Sequence, residues 1–224
     1  LHWQDTGETL LSAYLKKLKA PKGCLVVLSS FGDILFKAGN ITKLDWTSLG
    51  SIFSANAIAK YLKSQHIKAG VDTMQNYLRQ IEGSFLLNKV LRYDIKGKKH
   101  FEMKEKYFLA DHGIKNAILG FRETDISGIL ENIVYIELLR RGYKVDIGQV
   151  GEQEVDFVAT KAEEKIYVQV CFLLSSSDTL ERELAPLKAI ADHYPKFVIS
   201  MDQHFTAKDI DGINRLNIVD FLLT

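Results

Sequence analysis

Two carboxylates stand two residues apart in the run "GEQEVDFVATKAEEKIYVQVCF", residues 151–172: Glu154 and Asp156, on either side of Val155. Side chains of a strand alternate, so both acids point to one face. Carboxylates at the ends of adjacent strands can hold Mg²⁺, which activates a water and neutralises charge on a phosphate. Asp156 lies between Val155 and Phe157. An acid there needs a metal or a charged partner to offset its desolvation, so Asp156 is the leading candidate ligand. The alternative is a strand-end charge, solvated or paired with a lysine. Glu154 is either a second ligand or exposed decoration. Glu131, at helical spacing with Ile129 and Ile133, is either a further ligand or a first-turn acid favoured by the helix dipole. On the next strand Gln169 offers a neutral oxygen that ligates a cation weakly or positions a water. Cys171, like Cys24, is expected to be a buried, reduced thiol.

The elements that must position these groups are legible from periodicity. Residues 125–142, "DISGILENIVYIELLRRG", read as a long amphipathic helix with Asp125 or Ser127 near its start and Gly142 after its end, and with Ile129, Ile133, Ile136 and Leu139 as its apolar stripe. Strands follow at "YKVDIGQV", "EVDFVAT" and "KIYVQVCF", then a helix at "DTLERELAPLKAIADHY" ended by Pro195, then a strand at "KFVISMD". The order is α-β-β-β-α-β, and "INRLNIVDFLLT" adds a strand and a short helix. Earlier in the chain, "SANAIAKYLKSQ" reads as a helix capped by Ser54 or Asn56. "VDTMQNYLRQIEGSF" reads as a second helix capped by Asp72 or Thr73, with Met74, Tyr77, Leu78 and Ile81 inward. Two apolar runs separated by Lys96-Gly97-Lys98 then read as a hairpin. Helix, helix, hairpin is the order of a winged helix. Residues 114–120 read as a short helix or connector. Residues 8–20 read as a helix and "CLVVLSSF" as a strand, and 1–46 stay unassigned.

A net charge of +1 hides an uneven distribution. From Lys60 to Lys106 there are eleven Lys/Arg against five Asp/Glu; from Glu152 to Asp192 there are four against nine. Arg79, Lys96, Lys98, Lys99, Lys104 and Lys106 could lie along a duplex backbone; a lysine-rich hairpin is equally a soluble one. With 46% hydrophobic residues, no apolar stretch of membrane-spanning length and no secretory signal at the start, the chain is expected to be cytoplasmic with no membrane partner. It opens at Leu1 without a Met, as a piece of a longer protein would.

The α-β-β-β-α-β order with Glu131 on the first helix and Asp156 on the middle strand resembles the PD-(D/E)xK nuclease core, over roughly residues 127–200. Such a core has a Glu and a Lys on the third strand, where this chain has Gln169 and Cys171. One charge fewer weakens Mg²⁺ binding, and the water-activating ammonium has no replacement on that strand, since Lys161 and Lys165 lie on the wrong stretch. More widely, "SLGSIFSANAIAKYLKSQ", "RYDIKGKK", "KYFLADHGIKNAILGFRE", "ILENIVYIELLRRGY", "EVDFV" and "YPKFVIS" are similar to the C-terminal region of prokaryotic AAA+-type ATPases, from about Leu49 to Thr224. That resemblance implies an α/β chain with a winged helix over 47–120 and a restriction-endonuclease-like core over 121–224, following a nucleotide-binding domain. No G-x-x-x-x-G-K-[ST] occurs here, so ATP binding belongs to the family and not to these residues.

Three functions fit these residues. The first is a nucleic-acid-binding, nuclease-like module of an AAA+-type ATPase, weak or inactive in cleavage, with double-stranded DNA as partner. The second is a Mg²⁺-dependent DNA endonuclease in which Glu131, Asp156 and Glu154 bind metal and Gln169 positions water. The third is a protein-interaction module with no nucleic-acid contact.

Overall fold

A computed structural model describes residues 55–64, 66, 70–111, 126–174, 176–203 and 207–224. The expectations for residues 1–46, Ser54 and 114–120 lie outside these. The described chain is a mixed α/β fold. Its elements are α1 (Ala55–Ser64), α2 (Val71–Gly83), β1 (Leu87–Asp94), β2 (Lys99–Leu109), α3 (Ile126–Arg140), β3 (Lys144–Val150), β4 (Gln153–Lys161), β5 (Glu164–Val170), α4 (Ser177–Lys188), β6 (Lys196–Ser200), β7 (Asp209–Ile210), β8 (Ile213–Asn217) and α5 (Ile218–Leu223).

All eight strands form one sheet in the order β2-β1-β3-β4-β5-β6-β8-β7. β1 and β2 are the expected hairpin, antiparallel from Leu87↔Leu109 to Asp94↔Lys99. The hairpin does not stand apart: β1 pairs in parallel with β3 through Arg92↔Ile147 and Asp94↔Gln149. The sheet therefore runs without a break from residues of the 47–120 segment into those of the 121–224 segment. β3, β4 and β5 form an antiparallel meander, while β5–β6 and β6–β8 are parallel. α3 and α5 cover one face, where Leu130, Val134, Leu138 and Phe221 meet Phe108, Ile147, Phe157 and Val168. α4 covers the other, where Leu184 and Leu187 meet Tyr167, Val198 and Ile213. No helix among the described residues is long and apolar enough to cross a membrane.

Several local expectations shift. The buried residues of α3 are Leu130, Asn132, Val134, Tyr135, Glu137 and Leu138, and Leu139 is exposed. The helix is apolar around most of its circumference, so its sequence alone does not say which side turns inward; aromatic stacking of Tyr135 on Phe108, centroids 4.4 Å apart, belongs to the side that does. α4 ends at Lys188, well before Pro195, and takes Pro186 into its last turn. α2 is capped at Gly70, and Asp72 lies in its first turn; Asn56 lies within α1. In the hairpin turn the left-handed residue is Lys98, φ 51°, not the glycine. Gly97 serves a close approach instead: Asp94 accepts from the N–H groups of Lys96 and Gly97 at 3.1 and 3.0 Å, and a Cβ on Gly97 would lie 2.3 Å from that carboxylate.

Candidate functional site

The ladder between β4 and β5 runs only as far as Phe157↔Val168. Opposite, the β3–β4 register shifts between Asp146 and Gly148. Both events centre on Asp156, and side chains take over from the backbone there. The N–H of Val170 donates to Asp156 Oδ2 at 2.7 Å, and the N–H of Asp156 donates to Gln169 Oε1 at 3.3 Å. The splayed strand ends open a cavity of about 350 Å³ lined by Glu131 of α3, Asp156, Gln169, Cys171, and Arg182 and Glu183 of α4. Glu131, Asp156 and Gln169 thus face one space, although they come from three elements.

The structure adds two cations that the sequence left elsewhere. Lys106, expected on a DNA-facing surface, is turned into the protein with 3% exposure. That corrects its expected role: alternation along β2 puts Lys106 on the face of Phe108, the α3 side of the sheet, with the ring centroid 5.5 Å from the ammonium. Its Nζ donates to Glu131 Oε2 at 2.7 Å and to Glu154 Oε1 at 3.4 Å. Arg92 of β1, also buried, donates to Glu154 Oε2 at 2.5 Å. Glu154 is therefore bound in a network rather than displayed on the surface.

The electrostatics follow from burial of like charges. Burial first, and the Glu131 charge second, push the Asp156 carboxyl well above the ordinary carboxylate range. Burial raises Glu131 as well, more than Lys106 lowers it. Burial works against the Lys106 ammonium, but Glu131, Asp156 and Glu154 together outweigh it and hold its pKa above the usual value. Burial pushes the Cys171 thiol up to about 12, so at neutral pH it is a neutral thiol and no nucleophile.

A divalent metal does not fit this arrangement. The Lys106 ammonium sits between Glu131 and Glu154 and takes an oxygen of each. Gln169, the proposed weak ligand, spends its oxygen on the Asp156 N–H and its amide nitrogen on Glu183 Oε2, at 3.2 Å. Among the described residues no three His, Cys, Asp or Glu side chains are grouped to hold a metal ion.

The residues expected to meet nucleic acid divide. Lys96, Lys98 and Lys99 are exposed around the hairpin turn, and Arg79 is exposed on α2, donating to Asn76 Oδ1 at 2.6 Å. The side chain of Lys104 lies outside the described ones. Alternation along β2 puts Lys106 on the face of Phe108, but it does not say that this face is buried, and Tyr107 on the opposite face is buried as well.

No protein-family model matches the chain. It is similar to an uncharacterized protein of Haemophilus influenzae, 37% identical over 190 residues, which make up 85% of this chain and 44% of that protein. It is also similar to the uncharacterized protein MJ1544 of Methanocaldococcus jannaschii, 33% identical over 144 residues, 62% of this chain and 31% of that protein. The chain thus spans less than half the length of the relatives it matches. Protein VC1899 from Vibrio cholerae, a crystal structure, aligns over 85% of this chain and 53% of its own at 10% identity, with a TM-score of 0.30, a superposition too loose to bear on fold or function.

Proposed function

We propose that this chain is the nuclease-like C-terminal module of an AAA+-type ATPase, a winged helix joined to a restriction-endonuclease-like core that binds double-stranded DNA and does not cut it efficiently. The observation that carries this reading is that Glu131, Asp156 and Gln169, from α3, β4 and β5, line one open cavity at the splayed ends of two strands. That is where a PD-(D/E)xK enzyme would gather its acids. The third strand brings an amide bonded at both ends rather than a carboxylate and a lysine, which argues against cleavage. The α-β-β-β-α-β order supports the core, and the exposed Lys96, Lys98 and Lys99 support contact with phosphates.

A salt titration of duplex binding, followed by fluorescence anisotropy, tests it. Replacing Lys98 and Lys99 by Ala should weaken binding and reduce the slope of log K against log[salt] by roughly 2, about one for each lysine withdrawn from the phosphates. An unchanged slope, or no binding by the wild type, would remove the nucleic-acid reading. In parallel, DNA incubated with Mg²⁺ or Mn²⁺ should show no cleavage that depends on Asp156. Scission abolished by Asp156→Ala would replace this proposal with a working endonuclease.

A further inference from the structure

The Lys106 ammonium raises a question that DNA binding does not answer. Three carboxylates, Glu131, Glu154 and Asp156, crowd at the end of the sheet, and in a cutting enzyme such a group is held together by a divalent ion. Here Lys106 donates to Glu131 and Glu154 and acts electrostatically on all three. Arg92 takes the remaining oxygen of Glu154. Lys106 sits on β2 opposite Val90 of β1, is 3% exposed, and holds its ammonium 5.5 Å from the Phe108 ring centroid.

We infer that Lys106 is the resident cation of this site: its ammonium stands among Glu131, Glu154 and Asp156 where a divalent ion would otherwise be needed, and it locks the pocket against metal. This rests on the nuclease-like reading of the core, but not on the DNA-binding half of that reading. An ammonium carries one charge and donates hydrogen bonds to acceptor-only carboxylates. It satisfies Glu131 and Glu154 without the octahedral oxygen shell that Mg²⁺ demands. A second cation brought in beside it would meet repulsion at close range, in a medium that screens poorly. The lock is therefore both steric and electrostatic, and it is built from a strand far from the acids in sequence.

The consequence is that the acids, which are not grouped for a metal while the ammonium is there, become free to converge on a cation once it is gone. With Lys106→Met the methylene stem is kept and the charge is lost, so three carboxylates face one remaining guanidinium. The experiment is a Mn²⁺ titration of the full chain, followed by the loss of the free-ion electron paramagnetic resonance signal. Wild type, Lys106→Met and Lys106→Met with Asp156→Asn are compared, each first checked for folding by circular dichroism. The expected result is no saturable uptake by wild type, affinity at least roughly tenfold tighter in Lys106→Met, and loss of that gain in the double variant. Wild type binding Mn²⁺ as tightly as a folded Lys106→Met, or a folded Lys106→Met gaining nothing, overturns the inference. Should Lys106→Met not fold, Lys106→Gln takes its place in the same comparison. In either case saturable uptake by wild type that Asp156→Asn abolishes refutes the lock. DNA affinity is not read in this experiment, so failure of the lock and failure of nucleic-acid binding are separate results.

Discussion

Asp156 shows how a single residue is held in a costly state. Its carboxyl is buried beside Glu131 and is pushed well above the ordinary range. An acid whose folded-state pKa lies above its unfolded value binds more protons when folded. Stability from this source is full below the unfolded pKa and falls as pH rises through the folded one. Asp156→Asn removes the titration and can still accept from the Val170 N–H. It leaves Glu131 and Glu154 balanced by Lys106 and Arg92. The variant is expected to melt a few degrees higher than wild type near neutral pH, with the difference closing as the solution is acidified toward about pH 4. Thermal melts across that range check it; a variant less stable than wild type at neutral pH would show that the ionised carboxylate is needed by its cations. Phe85 is the second residue out of keeping with its surroundings. It ends α2 at φ 60°, a left-handed position that suits glycine, and it is 85% exposed. Phe85→Gly should gain roughly 1 kcal/mol in urea unfolding, and a loss would mean that the ring packs on something in solution.

At the scale of elements, the join between α3 and the hairpin depends on one amide. Asn132 is buried on α3, donates to the C=O of Leu109 and accepts from its N–H, both at 2.8 Å. It thereby completes the backbone at the end of β2, where the ladder has no further strand to offer. An asparagine in the middle of an apolar helix does not announce this by spacing, because its partner is a main-chain group with no side-chain signature. Asn132→Ala should leave two buried backbone groups unpaired and cost about 2–4 kcal/mol, read as a lower urea midpoint with an unchanged m-value. The elements themselves were readable. Both hairpin strands, the meander of β3 to β5, and the closing strand and helix fall where alternation and turn residues put them. What periodicity did not supply was the inward side of α3. A helix with apolar residues on nearly every side carries no direction, and the neighbouring sheet supplies one.

For the whole molecule, the consequence is that the hairpin and the acidic core are not separable. β1 lies between β2 and β3, and it brings Arg92 as β2 brings Lys106. A fragment of residues 121–224 would lack both cations and would expose the edge of β3 and the faces of Phe157 and Tyr135 that Phe108 now covers. Removing one partner of a buried ion pair costs about 3–5 kcal/mol, and an open apolar edge favours association. The fragment is expected to be aggregated or to unfold without a cooperative transition, while the chain that keeps the hairpin melts cooperatively. Size-exclusion chromatography and circular dichroism check this; a monomeric fragment with a sharp melt would show that the core stands alone.

The sequence by itself determined the order of the elements and the placing of Glu154 and Asp156 on one face, because alternation and helical period are local and survive without a partner. It also determined that the strand after Asp156 brings neither the acid nor the lysine of a cutting site. Only the tertiary structure decided that Lys106 faces inward and neutralises those acids. The residues of that network are 25, 48 and 62 positions apart in the chain. Nothing local encodes the parallel pairing of β1 with β3 that carries them together. Lysine on a strand reads the same whether its face is solvent or a buried carboxylate, and only the packed sheet distinguishes the two.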